Sequence, residues 1–209
     1  MSKVYDRVAL VGLGLIASSI FWASKRNDVS SYITGFARSK ETRDTAKKIG
    51  LCDEVFDTVE EAVKDADLVI LCVPVGAMEQ VTSEIAPFLK TGSTLSDVGS
   101  VKRAVIDAVE PHLPTDVKFV PAHPLAGTEH SGPESGFASL FDNRWCLLTD
   151  HVSADKEAQN KLMTFWKGLG ANVEFMDADH HDLVLAVTSH APHLIAYTMV
   201  GVADDLGKV

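Results

Sequence analysis

The sequence predicts an α/β fold: a doubly wound parallel sheet followed by the start of a helical C-terminal domain. Three observations predict it. Short, continuous apolar runs alternate with amphipathic stretches as far as residue 177, the pattern of strands covered by helices on both faces. The first of these runs, 7–11, passes through Gly12-Leu13-Gly14 into a helix. After Met176 the strand signal stops, and 177–206 reads as one long helix broken or kinked near Pro192. We therefore divide the chain at 1–177 and 178–209.

Each element has a local reason. Strand 7–11 is closed by Gly12, and helix 15–25 follows. Strand 32–36 leads to a helix at 40–49 that stops at Gly50, a residue suited to a left-handed C-cap. A short strand at 54–56 precedes helix 58–64, where Thr58 stands three residues before Glu61 as in a capping box. Strand 67–73 is stopped by Pro74, and helix 78–89 is followed by Gly92. Strand 94–97 and helix 101–109 come next. Segments 118–121, 145–149 and 172–175 complete the strands, with a helix at 156–169 between the last two. Right-handed crossovers make such an arrangement doubly wound.

Composition narrows the function. The 209 residues suffice for one large domain, or a domain plus a smaller piece, and 46% hydrophobic with 23% charged content is that of a globular protein. A net charge of −10 disfavours nucleic acid and anionic membrane surfaces as partners. Cys52, Cys72 and Cys146 are widely spaced in apolar surroundings, as expected of reduced thiols in a cytoplasmic protein. No apolar signal region precedes the first strand. The longest nearly continuous apolar run, 68–78, contains Pro74 and Gly76 and is too short to span a bilayer, so no membrane association is expected.

Gly12-Leu13-Gly14-Leu15-Ile16-Ala17 fits the G-x-G-x-x-G/A pattern of a Rossmann dinucleotide site. Gly12 permits the tight turn, Gly14 lets the backbone approach a pyrophosphate, and Ala17 lets the helix lie close on the strand. The helix opening at Leu15 and Ile16 aims its N–H groups at the phosphates. NAD sites commonly carry Asp or Glu after the second strand. This chain has Arg38-Ser39-Lys40 there, which favours NADP over NAD if Arg38 and Ser39 hold a 2′-phosphate; Arg38 stacked on adenine is the other reading. Val73 and Pro74, closing the fourth strand, suit either a wall of the cofactor site or a structural stop.

Ser100 and Lys102 follow another strand, where ligands of such sheets bind. Ser100 suits a substrate hydroxyl or a helix cap, and Lys102 suits a substrate carboxylate. His123 lies between Pro121 and Pro124, at a further strand end and before a glycine-containing loop. A lone histidine is more often structural, but that position suits a fixed imidazole for acid–base work, titrating near the ordinary value of about 6.5. His190 and His193 share one helix face and suit a substrate pocket. His180, His181 and several aspartates lie near them, but no cysteine joins the group and no known ligand spacing is met, so no metal is assigned.

Taken together, the glycine loop, the 97–102 segment, His123-Pro124-Leu125-Ala126-Gly127-Thr128-Glu129 and Thr188-Ser189-His190-Ala191-Pro192-His193 resemble the prephenate/arogenate (cyclohexadienyl) dehydrogenases of tyrosine biosynthesis. The resemblance implies an oxidoreductase that passes hydride from prephenate or arogenate to NAD(P)+ with loss of CO2. It implies His123 as the acceptor of the hydroxyl proton, Ser100 as the residue orienting that hydroxyl, and His193 in the substrate pocket. It also implies a homodimer whose helical domain continues beyond a 209-residue chain and supplies an arginine for the substrate carboxylate. Two alternatives are a non-catalytic NAD(P)-binding fragment and a β-hydroxyacid dehydrogenase or imine reductase. The latter typically place a lysine on the long helix, and 178–203 has none.

Overall fold

A computed structural model describes residues 3–150 and 155–207. Six parallel strands form the main sheet: β1 (Tyr5–Val11), β2 (Ser30–Phe36), β3 (Glu54–Val55), β4 (Leu68–Leu71), β5 (Thr94–Asp97) and β6 (Lys118–Val120), in the order β3-β2-β1-β4-β5-β6. The reversal beside β1 is the switch point of a doubly wound sheet, where ligands bind past the carboxyl ends of the strands. β4 is buried throughout and β1 from Val8 to Val11, which accounts for their continuous apolar runs. Helices α1 (Leu15–Asn27), α2 (Lys40–Ile49), α3 (Val59–Val63), α4 (Met78–Ile85) and α5 (Arg103–Val109) link the strands. Two buried apolar clusters flank the sheet: one built around Leu10, Ile20, Phe141 and Trp166, the other around Val69, Met78, Leu95 and Val105.

The predicted local signals act as expected. Thr58 Oγ1 accepts the Glu61 N–H, and Gly50 caps α2 in the left-handed region at φ 69°.

The expectation of one continuous sheet is corrected. β7 (Ala122–Pro124), β8 (Trp145–Asp150) and β9 (Asn172–Asp177) form a separate three-stranded sheet, with β7 antiparallel to β8 and β8 parallel to β9. Helix α6 (Lys156–Gly168) joins β8 to β9. The chain changes sheets at Pro121, which has no N–H to give to a ladder. Its carbonyl instead accepts the Thr149 N–H of β8 at 2.9 Å, and the Ala122 N–H goes to Asp97 Oδ1 at 3.2 Å. His123 is thereby turned away from the main sheet.

The C-terminal stretch runs as one helix from Ala178 to Leu206, made of α7 (Ala178–Leu185), a π-helical turn (Ala186–His190) and α8 (Ala191–Leu206). Pro192 sits in the first turn of α8. Lacking an N–H, it cannot continue regular bonding into the preceding turn, and the wider π turn takes up the mismatch. By length and composition this helix could cross a membrane. In the sequence the stretch is interrupted by His190, Pro192 and His193 and closed by Asp204 and Asp205. Leu194, Ile195, Met199 and Leu206 are exposed on it.

Candidate active site

Because β1, β5 and β6 run parallel, the segments that follow them emerge at one edge of the sheet. Those segments carry Gly12, Ser100 and His123.

The two glycines after β1 are required for different reasons. Gly12 has φ +98°, and a Cβ there would meet the Cys72 carbonyl oxygen at 2.5 Å. Gly14 is in extended backbone at φ −102°, and a Cβ there would meet nothing within 4 Å. The protein itself therefore leaves room at Gly14. Gly14 also starts α1 without any side-chain cap, and the first turn holds no acidic residue. The free N–H groups of that turn attract an anion. These features fit a dinucleotide pyrophosphate. Beside the loop, Gly12, Phe36, Arg38, Val59, Val73 and Gln80 line a small hollow of about 110 Å³.

A larger cleft of about 860 Å³ lies between the loop after β7 and the C-terminal helix, and is lined by Ser100, His123, Thr128, Glu129, Ser189, His190, His193 and Tyr197 among others. His123 is at its wall and almost fully buried. Its Nδ1 is 2.9 Å from His181 Nε2, and His181 Nδ1 is 2.8 Å from Asp182 Oδ1. Burial pushes the His123 imidazole down to about 3, and the nearby Lys102, His181 and His190 push the same way against Asp182. His123 is thus neutral near pH 7, with Nε2 left for the cleft.

Behind His123 lies a second network. Lys102 Nζ donates to Asp97 Oδ2 and, at 2.6 Å, to the Ala122 carbonyl. Asp97 also accepts the N–H groups of Gly99 and Ala122. Lys102 and Asp97 are both fully buried. Burial lowers the Lys102 pKa while the Asp97 carboxylate opposes that shift. The pair ties the end of β5 to the start of β7 and so fixes where His123 stands.

Residues 22–175 match the family described as "Prephenate dehydrogenase, nucleotide-binding domain". The chain is 42% identical over 205 residues to a cyclohexadienyl dehydrogenase of Zymomonas mobilis, covering 98% of this chain and 70% of that one. The chain belongs to the prephenate dehydrogenase family. It is 35% identical over 201 residues to the prephenate dehydrogenase of Bacillus subtilis, covering 96% of itself and only 54% of that protein. A crystal structure of the prephenate dehydrogenase of A. aeolicus with hydroxyphenyl propionate and NAD+ superposes with a TM-score of 0.88 at 30% identity, over 97% of this chain and 70% of that one.

In this family member, four of the residues anticipated from sequence, Ser100, His123, His190 and His193, come together in the one cleft. Gly12, Arg38 and Val73 share the smaller hollow. Leu15 and Ile16 open α1 half-buried, and Ala17 is fully buried against the core. Four expectations change. Lys102 does not reach the cleft: its ammonium is turned inward to Asp97, because a charge with no water around it needs a carboxylate and a carbonyl. The Ser39 hydroxyl is spent on the cap of α2, and Pro74 is exposed at the start of a short 3₁₀ turn rather than in the hollow. His123 does not keep the ordinary imidazole value.

Sequence reading missed Asp97, His181, Asp182 and Tyr197 as parts of the site. The doublet His180-His181 before Asp182 was visible, but a polar run opening a helix commonly serves as a cap. Asp182 does so in part, for the distant α5: its Oδ1 accepts the Lys102 N–H at 2.7 Å and its Oδ2 the Arg103 N–H at 2.9 Å.

Proposed function

We propose that the protein oxidises prephenate or arogenate, with hydride passing to NAD(P)+, and with CO2 lost as the ring becomes aromatic. The observation that carries this reading is His123: a neutral imidazole at the wall of a cleft, its Nδ1 occupied and its Nε2 without a hydrogen-bond partner among the described residues. A base that is neutral at working pH is ready to take a proton. Bound NAD(P)+ would supply the hydride acceptor. Gly12, Gly14 and the α1 N-terminus would hold its pyrophosphate. His123 Nε2 would accept the proton of the ring hydroxyl, Ser100 would orient that hydroxyl, and His190 and His193 would line the substrate. The fixed imidazole prevents charge building up on the ring oxygen as hydride departs.

Within this reading NADP is favoured. No carboxylate stands in Phe36-Ala37-Arg38-Ser39 to meet the ribose hydroxyls. Arg38 is exposed and makes no ion pair among the described residues, whereas Lys40 is held by Asp44 at 2.7 Å. Arg38 is therefore the group left to hold a 2′-phosphate.

Residues 178–209 are read as the start of a helical domain that joins two copies of the chain. The exposed Leu194, Ile195, Met199 and Leu206 support burial against protein. The helix side bearing Ser189, His190, His193 and Tyr197 faces the cleft, which argues for a subunit-joining helix rather than a span of lipid. Three free cysteines suit a cytoplasmic enzyme.

The test is His123→Asn, assayed with prephenate and with arogenate against either cofactor. Turnover falls by about 10²–10⁴-fold, the usual contribution of a positioned base, while cofactor affinity is kept. Turnover equal to that of the unaltered protein refutes the mechanism.

A further inference from the structure

We propose that Asp182 and His181 are positioning residues that hold His123 in a single tautomer, with Nδ1 protonated and Nε2 bare toward the cleft. The inference rests on the reading of His123 as the proton acceptor, and it follows from the direction of three consecutive hydrogen bonds. Asp182 is the anchor. Burial pushes its carboxyl up, but the N–H groups of Lys102 and Arg103 and the ring of His181 outweigh this and hold it below the ordinary carboxylate range. An ionised carboxylate only accepts. His181 Nδ1, 2.8 Å away, must therefore donate to it. A neutral His181 then has a bare Nε2, which must accept from His123 Nδ1–H across 2.9 Å. The one nitrogen of His123 left without a proton is Nε2. An isolated imidazole has no such preference built in, so a group that cannot donate, two residues back along the chain of bonds, decides which nitrogen is the base.

The same arrangement accommodates the charge that proton transfer creates. When a hydroxyl O–H bond breaks and its proton moves to Nε2, the electron pair stays on oxygen and His123 becomes cationic. Lys102 at the start of α5 and His190 in the π turn oppose a positive charge there, and buried Cys146 on β8 offers no compensating anion. Asp97 is near but already paired with Lys102. Moving the Nδ1 proton to His181 Nε2 transfers the positive charge to the imidazole bonded to Asp182. No atom leaves the protein and no co-reactant is required.

The 209-residue chain itself permits the first measurement. Nitrogen-15 imidazole correlation spectra distinguish protonated from bare ring nitrogens. At pH 7, His123 should show Nδ1 protonated and Nε2 bare. His181→Leu, which offers no acceptor, should shift the population toward Nε2–H, whereas His181→Gln, which keeps an amide oxygen, should retain Nδ1–H. A His123 that carries its proton on Nε2 in the unaltered protein overturns the proposal even if the leucine variant fails to fold. So does an unchanged tautomer in a folded leucine variant. Kinetics supply a second readout: His181→Leu lowers kcat about 100-fold or more with KM within threefold, and His181→Gln lowers it less than tenfold. Equal losses in both variants, or a loss confined to KM, also overturn it. If the unaltered protein turns over neither substrate, the functional reading fails while the tautomer result stands on its own.

Discussion

Replacing Lys102 by methionine should destabilise the fold without directly altering the cleft. Lys102 and Asp97 are both without solvent exposure, and Lys102 Nζ also serves the Ala122 carbonyl. Methionine fills nearly the same volume but leaves Asp97 as a buried carboxylate with backbone N–H donors alone and leaves the carbonyl without its donor. Breaking one side of a buried pair costs about 3–5 kcal/mol. At about 2–4 °C of melting temperature per kcal/mol for a protein of this size, Lys102→Met should melt roughly 6–20 °C lower. The assay is thermal or urea denaturation followed by circular dichroism. Adding Asp97→Asn should recover part of the loss, because the uncompensated charge is then gone, and the two effects should be clearly non-additive. A Lys102→Met protein melting within about 2 °C of the unaltered one, with a raised KM, would refute the reasoning and return the ammonium to the cleft.

Gly14→Val should abolish NAD(P) binding in calorimetric titration yet leave the melting temperature nearly unchanged, since its Cβ meets only open space; unchanged affinity would remove the cofactor from this loop. Gly12→Val, by contrast, should destabilise the fold, because of its φ of +98° and the Cys72 carbonyl beneath it. Arg38→Ala should weaken NADP by about 1.5–3 kcal/mol and spare NAD; equal weakening of both would indicate stacking on adenine. His123, pushed down to about 3, and His181, also lowered, bind fewer protons folded than unfolded. For His123 the stability is therefore full above about pH 6.5 and is lost as pH falls toward 3, by up to about 1.4 kcal/mol per pH unit, and His181 acts in the same direction. Urea melts at pH 7.5 and 5 should show this loss, diminished in His123→Asn, and equal losses in both proteins would contradict the neutral, buried imidazole.

The elements that rest on neighbouring residues were legible in the sequence. The strand, glycine turn and helix at 5–27, the Thr58 cap and the Gly50 stop all depend on contacts within a few residues, so period and residue type suffice to predict them. His123 could be singled out because a histidine between two prolines at a strand end is locally unusual. What His123 does with its nitrogens was not legible. His181 and Asp182 lie 58 and 59 positions away along the chain, and only the packing of α7 against β8 and β9 brings them into hydrogen-bonding range. Lys102 shows the same limit from the other side. Its sequence neighbourhood suits a ligand-binding cation, yet the desolvation that turned it toward Asp97 is a property of the surrounding volume, to which α5, β5 and β7 all contribute. The division into two sheets at Pro121 likewise required tertiary structure, because a strand's own residues do not specify which neighbour will accept its hydrogen bonds. Sequence periodicity thus determined the elements and the cofactor loop, while burial and contacts distant in sequence decided which groups carry protons in the site.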